Sequence, residues 1–136
     1  MWIDGNLMPD FSGGKSHIML TATCHCGAVE FSVPHAPEQL TSCNCSICHR
    51  LGSLWAYYKP AEVRFARGRE KTIPYIQGDK TLSTHHCPTC GCTTHWQPLD
   101  PKLERMAVNA RLFPRKDIEK IRIRRFDGAE TWKFLD

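Results

Sequence analysis

Three thiols within six residues, Cys43-Asn44-Cys45-Ser46-Ile47-Cys48, constrain this chain more than any other stretch. They are close enough to share one cation, yet they supply one ligand fewer than a closed tetrahedral zinc site needs. Two further pairs flank the triplet at a distance, Cys24-His25-Cys26 before it and Cys87-Pro88-Thr89-Cys90 after it. Together these pairs contain the four thiols of a complete site. The simplest partition of the seven is therefore one closed site and one open site, with Cys92 left over.

The stronger of the flanking signals is Cys87 to Gly91. A C-x-x-C turn points two thiolates at one ion, Pro88 suits the first central position of the turn, and Gly91 tolerates the left-handed backbone that follows. The competing reading, a redox-active pair, wants a βαβ setting that the residue pattern does not offer. Cys24 and Cys26 alone read equally well as two ordinary buried thiols; Gly27 and the partner knuckle favour ligation. Joining the pairs closes a loop of roughly 60 residues and ties folding to metal binding. The triplet divides two ways. With a vacant fourth position it has the arrangement of a catalytic zinc; with His49, His85, His86, His95 or Cys92 bound permanently it is a second structural site.

With 136 residues and ordinary apolar and charged fractions, the chain is expected to form one domain over residues 19–136, preceded by a loose extension over residues 1–18. No apolar run approaches the roughly 18 residues of a membrane span, and no signal peptide is evident at the N-terminus. The expected location is the cytosol, where clustered cysteines serve as metal ligands more often than as disulfides. The formal charge of +4 resides between Lys102 and Asp136, which hold ten Lys or Arg against six Asp or Glu. Seven thiolates and two divalent ions would bring the whole to about +1, so overall charge does not argue for a polyanion partner.

Hydrophobic alternation points to a mainly β fold. A strand from Leu20, a turn at Cys24 to Gly27, and a second strand with Val29, Phe31 and Val33 on one face form a hairpin that carries the first pair at its tip. Further strands are expected at Leu54 to Tyr58, Glu62 to Ala66, Lys71 to Ile76, Thr93 to Trp96, around Met106 to Ala110 and around Ile121 to Ile123; Thr81 to His86 leads into the second knuckle, and a turn at Asp127-Gly128 precedes Thr131 to Phe134. A helical turn fits Pro114 to Lys120, but no long amphipathic helix is present in the pattern. Cysteine knuckles should therefore project from sheet ends.

At Cys24-His25-Cys26-Gly27, the triplet, and Cys87-Pro88-Thr89-Cys90-Gly91, in this order, the sequence resembles the glutathione-dependent formaldehyde-activating enzyme family, which includes centromere protein V and has an Mss4-like fold of zinc-bound β-sheets. The resemblance runs from about Leu20 to the C-terminus. By position it implies that Cys24, Cys26, Cys87 and Cys90 hold a structural zinc, and that Cys43, Cys45 and Cys48 hold a catalytic one. It also implies a carbon-sulfur lyase that interconverts S-hydroxymethylglutathione with glutathione and formaldehyde. Such a reaction needs a proton carrier, for which His49, His86 and His95 are candidates. A substrate with two carboxylates needs cations, for which Arg50 and Arg111 are candidates. Trp55, Tyr57 and Trp96 are candidate walls, with the core as their ordinary alternative.

The competing function is a non-enzymatic zinc-binding module whose Arg122, Arg124 and Arg125 touch nucleic acid or an acidic protein partner. Glu119, Asp127 and Glu130 interrupt that strip, and no aromatic-basic motif of a nucleic-acid binder accompanies it.

Overall fold

The computed structural model describes residues 18–136; the extension expected at the N-terminus lies almost wholly outside the described residues. Among the described residues eleven strands and two short helices follow in chain order: β1 (Leu20–Thr23), β2 (Glu30–Val33), β3 (Leu40–Cys43), α1 (Ser46–Leu51), β4 (Trp55–Tyr58), β5 (Arg64–Arg67), β6 (Ile73–Ile76), β7 (Leu82–His86), β8 (Thr93–Pro98), β9 (Met106–Asn109), α2 (Arg115–Ile118), β10 (Ile123–Asp127) and β11 (Lys133–Phe134). The fold is mainly β, and its helices span only six and four residues. Among the described residues no helix is long and apolar enough to cross a membrane.

The strands form two sheets. A small one has the order β1-β2-β5, and a large one the order β11-β10-β3-β4-β9-β8-β7-β6. Pairing is antiparallel throughout except between β10 and β3, which run parallel with Phe126 opposite Cys43. The expected alternation in β2 is present, with Val29, Phe31 and Val33 all buried. Phe31 lies 5.4 Å from the Phe65 ring and 6.0 Å from the Phe113 ring, joining the small sheet to the turn after β9. Ala56, Tyr58, Met106 and Val108 meet this cluster from the large sheet. Aromatic pairs of this kind add about 0.5–1.5 kcal/mol each to the burial of their area.

Two readings of the pattern need adjustment. Met106 to Asn109 is buried at every position, because β9 is a central strand covered on both faces. Near the C-terminus, β10 begins at Ile123, and Ile121 lies outside it. The helix α1, which no periodicity announced, occupies the second half of the cysteine triplet.

Sheet register also decides which side chains share a face, since directly opposed residues point the same way. Phe126, Cys43, Thr41, Trp55, Tyr57, Ala107 and Trp96 follow one another across the large sheet on a single face. Ala56, Val108 and His95 stand on the opposite face, toward the core.

Candidate metal centre

The first cluster is assembled by two turns. Cys24 and Cys26 follow β1, Cys87 and Cys90 follow β7, and positive φ at Gly27 (84°) and Gly91 (79°) closes each knuckle in a conformation that glycine adopts without steric cost. All four Sγ atoms lie within 4.8 Å of one another. Cys26 Sγ is 3.7 Å from Cys24 Sγ and 3.6 Å from Cys87 Sγ. A tetrahedron with zinc–sulfur bonds of about 2.3 Å has edges of about 3.8 Å, whereas a disulfide requires about 2.05 Å. The spacing thus fits a cation and not a covalent bridge. Backbone N–H groups of Val29 and Thr89 donate to the sulfurs of Cys24 and Cys87, the stabilisation that thiolate ligands need.

Protonation of these thiols is correspondingly uneven. Against the burial that would raise it, Cys90 is drawn down to about 5 by backbone N–H groups of Cys92 and Cys26. A backbone N–H from Ala28 opposes the shift at Cys26, but burial and hydrogen bonds shared with Cys87 and Cys24 push it up to about 11. Cys92 packs beside Cys24, Val29 and Cys87, and its carbonyl accepts from Cys87 N–H at 2.9 Å. The spare cysteine therefore belongs to the neighbourhood of the four-sulfur cluster and stands apart from the triplet.

The second cluster combines the end of β3 with the start of α1. Cys45 is the N-cap residue of α1 and Cys48 lies one turn along it, so both face Cys43 across the connection. Their three sulfurs lie within 4.8 Å of one another, and among the described residues no fourth His, Cys, Asp or Glu joins them. The Trp55 indole Nε1–H donates to Cys48 Sγ at 3.3 Å, and the Cys45 backbone N–H to Cys43 Sγ at 3.5 Å. A hydrogen bond from Cys48 is the largest influence on Cys43, whose thiol is lowered to about 5; the same bond pushes Cys48 well above the ordinary thiol value. The shared hydrogen bond therefore favours negative charge on Cys43 at the expense of Cys48. Three soft sulfur donors suit zinc.

The face beside the triplet is aromatic. Tyr57 meets the Trp96 ring edge-on at 6.2 Å, and the Arg105 guanidinium lies 4.1 Å over the Tyr57 ring. Burial raises the Tyr57 hydroxyl above its ordinary value; Arg105 opposes the rise, and negative charge on the nearby three-sulfur cluster adds to it. Arg105 is the functional candidate that sequence reasoning missed. It lies before β9 without a motif, and only the pairing of β9 with β4 brings it to Tyr57.

The other candidates are dispersed. Arg50 Nη1 donates to the Ser46 carbonyl within α1, and Arg111 Nε donates to the Gly52 carbonyl just after it, so both secure the helix that carries Cys48. His49 is exposed on α1. His86 ends β7 opposite Thr93. His95 is fully buried on the core-side face, stacked on His85 at 4.4 Å with Thr94 and Gln97 as hydrogen-bond partners. Burial, with His85 adding to it, lowers His95 to about 3. In the basic strip, Arg124 stacks on Phe134 and pairs with Asp136.

The comparisons with known proteins agree with this geometry. Residues 19–124 match the family described as glutathione-dependent formaldehyde-activating enzyme. The chain belongs to this family. A crystal structure of a Rhodobacter sphaeroides protein is similar at 31% identity, covering 76% of this chain and 99% of that one, with a TM-score of 0.63. As a member of the glutathione-dependent formaldehyde-activating enzyme family, the chain carries two cysteine clusters able to hold metal ions, one of four sulfurs and one of three.

Proposed function

We propose that this protein is a zinc-dependent carbon-sulfur lyase acting on a thiol–aldehyde adduct, of which S-hydroxymethylglutathione is the type. The observation that carries the reading is the three-sulfur cluster with no fourth His, Cys, Asp or Glu among the described residues, on the face that also presents Tyr57 and Trp96. Four-sulfur ligation by Cys24, Cys26, Cys87 and Cys90 would hold the fold, and Cys43, Cys45 and Cys48 would hold the reactive site. A zinc ion bound there supplies a Lewis acid for the sulfur or the one-carbon oxygen of the adduct.

The chain's own groups have separable parts. Trp55 fixes the Cys48 sulfur through its indole N–H. Tyr57 keeps its proton at neutral pH and offers it as a hydrogen bond to the adduct oxygen. Arg105, above Tyr57, attracts a substrate carboxylate. In the cleavage direction the hydroxyl proton leaves, the carbon–sulfur bond breaks as the carbonyl forms, and the sulfur receives a proton; thiol and formaldehyde are the balanced products. His49, exposed on α1 next to Cys48, is the proton carrier in this reading. The working unit is residues 19–136, and the compartment proposed is the cytoplasm.

Exchange spectroscopy on glutathione with carbon-13 formaldehyde tests the reaction directly. Zinc-loaded protein should accelerate exchange between free and adduct carbon in proportion to its concentration. Exchange at the protein-free rate would remove the lyase reading.

A further inference from the structure

The family match ends at residue 124, yet the turn between β10 and β11 reaches back to the three-sulfur cluster. A Cβ on Gly128 would lie 2.6 Å from Cys43 Sγ and 3.3 Å from the Cys45 Cβ, so no side chain fits without displacing a sulfur. Gly128 is not among the glycines with positive φ, which leaves space as the reason for glycine there. Its backbone amide is also one of the influences that lower the Cys43 thiol.

The approach is locked from both sides. The Asn44 side chain, between two of the cysteines, donates from Nδ2 to Asp127 Oδ1 at 3.0 Å and accepts from the Ala129 N–H at 3.0 Å. Asn44 N–H donates to the Phe126 carbonyl at 3.2 Å. Buried Asp127 in turn accepts from the Thr131 hydroxyl at 2.8 Å and from the Thr131 and Glu130 N–H groups. Its carbonyl accepts from Trp132 N–H at 2.7 Å, so the whole turn is braced around one carboxylate.

We propose that Gly128 is a positioning residue for Cys43, and that the Asn44–Asp127 lock holds its backbone against the sulfur as the fourth wall of the three-sulfur site. The turn excludes side chains from one side of the cluster, leaving the aromatic face as the approach for substrate. The proposal rests on the reading of the triplet as a metal site, but not on any particular substrate.

The test uses full-length metal-free protein titrated with cobalt(II), comparing wild type with Gly128→Ala and Asn44→Ala. Sulfur-to-cobalt charge-transfer and ligand-field bands separate the four-sulfur equivalent from the three-sulfur one. The first equivalent should be the same in all three proteins. In Gly128→Ala the second should weaken by about tenfold or more with an altered band pattern, because the added methyl displaces the Cys43 sulfur, and Asn44→Ala should weaken it in the same direction. A second equivalent unchanged in both variants would overturn the proposal. If Gly128→Ala also loses the first equivalent, Asn44→Ala decides by the same criterion. Alkylation of Cys43 relative to Cys45 in the metal-free proteins provides a reading independent of metal: a changed ratio in Gly128→Ala supports the contact, and an unchanged ratio overturns it. Wild type that takes a single cobalt equivalent, or binds two but shows no lyase activity, would remove the proposed function while the alkylation ratio still decides the role of Gly128.

Discussion

Replacing His95 by Gln should change how stability depends on pH, and the structure sets the size of the change. His95 is fully buried, and burial with the neighbouring His85 lowers it from the ordinary 6.5 to about 3. Between these values the unfolded chain binds a proton that the folded chain does not. The contribution is therefore fully present above 6.5 and is lost progressively as the pH falls toward 3. At about pH 5 the linkage amounts to about 2 kcal/mol, against less than about 0.1 kcal/mol at about pH 7.5. Urea unfolding of zinc-loaded wild type and His95→Gln at these two pH values gives the comparison, because thiol and metal contributions are common to both proteins. Wild type should be the more stable at the higher pH, through its histidine stack and hydrogen bonds, and the gap should narrow by about 2 kcal/mol at the lower one. A gap that stays constant would mean that His95 is solvated or protonated in the folded protein. The face assignment that separates it from the triplet would then be wrong.

Other perturbations act on the sites themselves. Trp55→Phe removes the indole donor to Cys48 while keeping an aromatic ring, and should weaken metal at the three-sulfur site by about 10- to 100-fold in chelator competition, leaving the four-sulfur ion in place. Cys87→Ser removes a fully buried thiol from the four-sulfur cluster; structural zinc sites of this type contribute about 10–16 kcal/mol, so cooperative unfolding by circular dichroism should be lost or shifted far down. Arg105→Ala should raise KM for a carboxylate-bearing adduct several-fold and leave a carboxylate-free adduct nearly unaffected, as steady-state kinetics on both would show.

Much of this architecture was legible because its signals are local. Val29, Phe31 and Val33 alternate over consecutive residues, and a half-buried strand is all that such a pattern can satisfy. The C-x-x-C turn and its glycine likewise state their geometry in five residues. What escaped depends on pairing between distant segments. α1 is a six-residue helix with no buried residue and hence no apolar stripe to announce it. Arg105 acquires meaning through the β4–β9 register, and Gly128 through the parallel pairing of β10 with β3, neither of which leaves a mark in the surrounding residues. His95 illustrates the reverse: its sequence neighbourhood near the second knuckle suggested proximity to the chemistry, but register turned it to the other face of the sheet.

Zinc stoichiometry read beside zinc K-edge coordination, on wild type and Cys45→Ser, decides whether seven cysteines divide into a closed and an open site. Wild type should contain two zinc ions, one held by four sulfurs and one by three sulfurs with a lighter, exchangeable ligand, and Cys45→Ser should lose only the second. Two ions that each have four permanent protein ligands, or a single ion in wild type, would contradict that division.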